Sequence, residues 1–277
     1  MVKKAVLILP ILFCAQIGFA DHHYTTSFPL TENHISEHGN WINGGVTGLD
    51  WGNIQTINGP GAASGTAAEG YPEYSDSTAV LTGTWPANQQ ACGVLYLNSS
   101  LNRNMSPYEV EIRLNTSISA HSITGYEFDY SLRNDGRQDM GIVRWNGALG
   151  NFTSLSYAPS PPAISNGDVL CATSIDGTLS MYVNGSQIVH TTDLTYRGGS
   201  PGIGINQVDT GNFQYYGFSL FTASSAAARP HPGRPDSTRR DPRVMTFLLF
   251  GVAVGSIVGA ALSSILIPRY RRKKESG

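Results

Sequence analysis

The chain has 277 residues, room for one large domain or two small ones. Only 14% are charged, against about 25% in an average soluble chain, and 31 glycines with 15 prolines suit short strands and tight turns, not coiled coils or disorder. The net charge of −2 hides a segregation: residues 21–221 hold 6 Arg, no Lys and 17 acids, a net −11, while residues 222–277 carry +7. So acidic and lysine-free a main domain is a poor partner for nucleic-acid phosphates.

Residues 1–20 read as a secretory signal peptide. Lys3 and Lys4 precede an apolar stretch from Ala5 to Ile17, and Gly18-Phe19-Ala20 places small residues at the cleavage site before Asp21. Cys14, preceded by Leu12-Phe13, does not resemble a lipid-attachment site. Cleavage would expose Asp21-His22-His23, whose amine, amides and second imidazole match a square-planar Cu(II) set, read here as incidental. His34-Ile35-Ser36-Glu37-His38 spells the H-x-x-E-H of inverted zinc peptidases. That motif needs a helix, and Pro29 before it and Gly39-Asn40-Trp41 after it deny one, so it is read as coincidence.

Beyond this point the chain predicts strands. The candidates are 78–85, 90–97, 108–114, 123–132, 141–145, 152–157, 169–175, 178–183, 187–191 and 213–221, punctuated by Asn146-Gly147, Asn166-Gly167, Asp176-Gly177, Asn184-Gly185 and Gly198-Gly199. Such spacing predicts an all-β sandwich or barrel. Cys92 and Cys171, the only cysteines after the signal, fall in two of these runs. Outside the cell an even pair suggests a disulfide; two buried free thiols are the alternative. N-x-[S/T] sequons at Asn98, Asn104, Asn115, Asn151 and Asn184 stand against about three from chance, so they do not fix the source.

Alternation sorts the chemistry. In 108–114, Tyr108, Val110, Ile112 and Leu114 point one way and Glu109, Glu111 and Arg113 the other. In 126–131, Tyr126, Phe128 and Tyr130 oppose Glu127, Asp129 and Ser131. Arg144 is expected to join the polar set from the next strand, with Trp145 on the opposite face. Glu109, Glu111, Arg113, Glu127, Asp129 and Arg144 are therefore the ligand-binding candidates, lining either a sugar-binding groove or a solvated face of cross-strand charge pairs.

Gly167-Asp-Val-Leu170, Gly177-Thr-Leu-Ser-Met-Tyr-Val-Asn-Gly185, Thr192-Asp193 and Gly199-Ser-Pro-Gly-Ile-Gly204 resemble the concanavalin A-like lectin/glucanase superfamily, and within it secreted bacterial proteins of laminin-G-like type. Trp41, Gly83-Thr84-Trp85, Glu109-Val-Glu111 and Ile142-Val-Arg-Trp-Asn-Gly147 extend the resemblance over roughly 27–221. It implies a jelly-roll sandwich of two antiparallel sheets, a fold that hosts lectins, hydrolases, lyases and adhesion modules. Laminarinase-like members carry E-x-D-x-x-E. Here Glu127-Phe-Asp129-Tyr-Ser-Leu132 lacks the last acid, leaving only Glu111 across the sheet as a replacement. The leading expectation is a non-catalytic carbohydrate-binding module. The alternatives are a polysaccharide hydrolase or lyase using the acidic residues, and a purely structural or adhesive domain. No cofactor is expected; acidic side chains are abundant enough for Ca²⁺, but no spacing defines a Ca²⁺ loop.

The C-terminal end is tripartite. Residues 222–243 form a Pro/Arg-rich stalk, residues 244–268 run without charge for long enough to span a membrane, and residues 269–277 are a basic cytoplasmic tail. Five basic residues flank each side of the span, so the signal peptide, not charge bias, sets the orientation. Gly251, Gly255 and Gly259 recur at intervals of four, either a helix-dimerisation face or the ordinary glycine content of such helices.

Overall fold

In the computed structural model the described residues are 22–57, 61–66, 75–103, 108–133, 140–207 and 210–226. They contain β1 (His23–Thr26), β2 (Trp41–Asn43), β3 (Ile54–Ile57), β4 (Ala62–Gly65), β5 (Ser75–Leu81), β6 (Gln89–Leu97), β7 (Tyr108–Ser119), β8 (Ser122–Ser131), β9 (Met140–Gly147), β10 (Phe152–Tyr157), β11 (Val169–Ile175), β12 (Thr178–Val183), β13 (Ser186–Thr192), β14 (Ser200–Gln207) and β15 (Tyr216–Ser225). The only helical pieces described are 3-10 turns at Gly45–Thr47 and Thr210–Tyr215.

The strands form two antiparallel sheets. One runs β13-β12-β11-β6-β15-β4-β3, with β1 also paired to β15; the other runs β10-β9-β8-β7-β14-β5-β2. The ten expected strands are present, and β1, β2, β3, β4 and β14 are additional. Several boundaries move: the strand expected at 78–85 lies at Ser75–Leu81, and the one expected at 108–114 continues to Ser119. Phe213 belongs to a 3-10 turn, and the strand expected to end at Phe221 continues to Ser225, because Thr222, Ala223 and Ser224 pair with Cys92, Ala91 and Gln90 on β6. The sandwich therefore takes in the first residues assigned to the stalk.

Between the sheets lies the main core. Val110, Ile112, Leu114, Phe128, Tyr130, Ile142, Ile203 and Ile205 come from the seven-stranded sheet, and Leu95, Leu170, Leu179, Met181, Phe218 and Phe221 from the other; all are buried. The apolar halves of β7 and β8 thus face inward as their alternation predicts. Cys92 and Cys171, directly opposite each other on β6 and β11, are disulfide-bonded.

Among the described residues no helix is long and apolar enough to cross a membrane. The signal peptide (1–20), most of the stalk, the span (244–268), its glycine row and the basic tail lie outside the described residues.

Candidate functional site

Register places the polar side chains of β7 and β8 on the outer face of the seven-stranded sheet, away from the main core. Thr78, Gly204, Glu111, Asp129, Gly141 and Tyr157 are successive partners across β5, β14, β7, β8, β9 and β10. The next row carries Val80, Gly202, Arg113, Glu127 and Val143.

Arg113 organises this face. Its Nη1 donates to Glu127 Oε2 at 2.9 Å, and its Nη2 donates to Asp76 Oδ1 at 3.1 Å and to Glu111 Oε2. Asp76 stands on β5, across β14 from Arg113. The guanidinium reaches it by passing over Gly204, where a Cβ would collide with both the Glu111 carboxylate and the guanidinium. Glycine is needed here for close approach.

A strap closes over the cluster. Residues 44–53 leave β2 and cross the sheet, held by Gly44 N–H donating to the Thr78 carbonyl (3.0 Å) and Thr78 N–H donating to the Gly52 carbonyl (3.1 Å). The strap sets Trp51 against Arg113, with the guanidinium carbon 4.9 Å from the ring centroid, and edge-on to Trp145 at 4.7 Å. Leu49, Trp51, Ile123, Val143 and Trp145 form a second apolar cluster, so this sheet is buried on both faces at one end. At the strap's tip, exposed Asp50 pairs with His121 at 2.9 Å.

The six sequence candidates separate accordingly. Glu111 is 1% exposed, Arg113 0%, and Glu127 and Asp129 7% each. They come together, but as a buried ionic cluster rather than a groove or a solvated face. Glu109 is half-buried and accepts a hydrogen bond from Asn206 Nδ2 at 2.7 Å. Arg144 corrects the expectation. It pairs with Tyr126 and so lies on that residue's face, whereas Trp145 lies with the cluster and donates its indole N–H to Glu127 Oε2 at 2.6 Å.

Arg144 instead helps join the two sheets. Its Nη1 is 2.6 Å from Asp193 Oδ2, just past β13, while the Tyr126 hydroxyl donates to Asp193 Oδ1 at 2.7 Å. Burial alone would raise the Asp193 carboxyl; hydrogen bonds from Thr195 and Tyr126, with Arg144, outweigh it and hold the group below its usual range. A depressed carboxylate stabilises above its unfolded value and loses that contribution as pH falls through the folded one. Asp193→Asn is therefore expected to cost about 1 kcal/mol at neutral pH and less in acid, measured by urea unfolding at both.

Asp76, Glu111 and Glu127 bring oxygens within 4.8 Å of one another, as a metal site does. The group bonded to all three is the Arg113 guanidinium, which supplies the positive charge a cation would bring. Burial pushes the Asp76 and Glu111 carboxyls well above the usual range; Arg113 opposes this, and neighbouring acids add to it. Glu111, enclosed and bound to Arg113, offers no access to a glycosidic bond in this arrangement, and Leu132, where the glucanase pattern has its last acid, is fully buried in the core. The H-x-x-E-H string is not helical: Glu37 turns inward to accept hydrogen bonds from Trp41 Nε1 (2.9 Å) and from the Tyr24 and Thr26 hydroxyls.

Accessible surface on this face lies at β10. Tyr157, 48% exposed, packs against Gly141, where a Cβ would collide with its ring, and its hydroxyl is 3.2 Å from Ser154 Oγ. Phe152, 50% exposed, packs on Trp145 at 5.3 Å. Sequence reasoning placed β10 but missed these aromatics as a surface, and it missed Asp76 and Trp51. The available signal was Gly141, a bare position beside a strand with aromatics at both ends.

No family model matches the chain, and neither does any curated protein. Among solved structures it is similar to a Bacillus subtilis protein of unknown function with a galectin-like fold (13% identity, TM-score 0.48, covering 74% of this chain and 96% of that one). It is also similar to the carbohydrate-binding module CBM66 from Bacillus subtilis (10%, TM-score 0.45, 71% and 98%) and to the exoplasmic/lumenal domain of VIP36 in a Ca²⁺/Man3GlcNAc-bound form (11%, TM-score 0.47, 70% and 86%).

Proposed function

We propose that the sandwich is a carbohydrate-binding module that acts without turnover, held at the cell surface by a C-terminal anchor. The observation that carries this reading is Tyr157, half-exposed over bare Gly141 at the open end of the row and beside Ser154. A pyranose presents an apolar C–H face edged by hydroxyls, and it suits an aromatic ring next to a few polar groups. Phe152 extends the apolar surface along the same strand. The −11 charge of residues 21–221 favours neutral over acidic polysaccharides.

The test is a panel of neutral and acidic polysaccharides, with and without Ca²⁺, scoring retention and reducing-end release together. Retention without release supports the module; new reducing ends overturn it. Tyr157→Ala is expected to weaken retention about tenfold with the circular dichroism spectrum unchanged. Unaltered affinity would remove Tyr157 from the binding surface.

The same reading gives the chain a cleaved signal (1–20), a membrane span (244–268) and a cytoplasmic basic tail, with the sandwich extracellular or periplasmic. The Cys92–Cys171 bridge supports an oxidising compartment. In the span, Gly251, Gly255 and Gly259 are proposed to let two helices approach closely. Gly255→Leu is expected to abolish detergent-resistant dimers of the full chain; dimers that survive it would exclude this contact.

A further inference from the structure

The outer face of the seven-stranded sheet encloses more acid than base. Asp76, Glu111 and Glu127 are 5%, 1% and 7% exposed, and the one cation paired with them among the described residues is Arg113. Three ionised carboxylates on one guanidinium would leave two buried negative charges uncompensated, an arrangement folded proteins avoid by protonation. Among the described residues, no second cation is bonded to these three carboxyls. Glu109 on β7 and Asp129 on β8 are themselves acids, β14 contributes only Gly204 and Asn206, and the strap brings Asp50, paired with His121 at its tip. Arg133 stands beyond the end of β8.

We infer that Asp76 and Glu111 are carboxylic acids in the folded protein at neutral pH, and that residues 44–53 form a pH-sensitive cover that lifts when they ionise. The cover follows from the packing. Trp51 is the strap residue laid on Arg113, so water reaches the cluster most directly by moving it. Burial, which raises both carboxyls, acts in the same sense as the charge count. The sign follows from linkage: a carboxyl raised on folding makes the folded state bind more protons than the unfolded state. Stability then falls as pH rises from the unfolded carboxylate value to the folded one.

The experiment is urea unfolding of the full chain across pH, with D76N and E111Q alongside, and infrared spectroscopy of the folded wild type. In wild type the unfolding constant is expected to rise about tenfold per pH unit for each proton the fold holds, and each variant should remove one proton from that slope. The wild type should also show the carbonyl stretch of a neutral carboxyl at neutral pH, a readout that does not depend on either variant folding. Over the alkaline range its tryptophan emission should shift to the red, and W51F should lose most of that shift. A missing carbonyl band, or variants with the wild-type slope, would overturn the protonation. A band with unchanged emission would overturn the cover.

Discussion

Arg113→Met is expected to lower the unfolding free energy by about 3–5 kcal/mol, the range for breaking a buried ion pair from one side. Methionine roughly fills the stem's volume but donates no hydrogen bond. Asp76, Glu111 and Glu127 would lose their shared donor, and Trp51 the charge over its ring. For a domain holding about 5–15 kcal/mol, that loss brings it close to the threshold for remaining folded. The check is the urea midpoint of the variant followed by tryptophan emission, which Trp51 and Trp145 report from within the cluster. A variant within about 1 kcal/mol of wild type would mean that water, not Arg113, satisfies these carboxyl groups.

Removing the Cys92–Cys171 bridge by paired alanine substitutions is expected to cost about 4 kcal/mol. The two cysteines are 79 residues apart, and closing so long a loop removes much of the unfolded chain's freedom. In the folded state the same two residues face each other on β6 and β11, where the ladder already fixes the strands. The bridge therefore acts mainly on the unfolded state. Its loss should lower the midpoint and also steepen the urea dependence, because the released chain exposes more surface. If the protein kept its midpoint under reductant, the pair would be two free thiols in solution, as the sequence left open.

Most of the strand framework was legible in the sequence, because alternating apolar and polar residues between Asn-Gly and Asp-Gly turns leave few other choices. The reading failed where alternation carries no information. β9 reads Met-Gly-Ile-Val-Arg-Trp, apolar on both faces, so period two alone could not assign Arg144 and Trp145 to a side. Pairing with β8 did, matching Tyr126 to Arg144 and Gly125 to Trp145. β14 was missed as a strand because Gly202 and Gly204 give it little intrinsic preference for one. It is central nevertheless, since only a bare backbone lets Arg113 cross to Asp76.

By itself, then, the sequence determined an all-β chain of short strands, the apolar faces of β7 and β8, and the two cysteines available for a bridge. Each is local: a period of two, a turn dipeptide, or a cysteine count. Tertiary structure decided whether the acidic face is open or closed. Glu109, Glu111, Arg113, Glu127 and Asp129 share a face in any strand drawn from this sequence, but their exposure depends on what covers them. The cover is an irregular strap with no periodicity to read, carrying one tryptophan onto one arginine from more than 60 residues away.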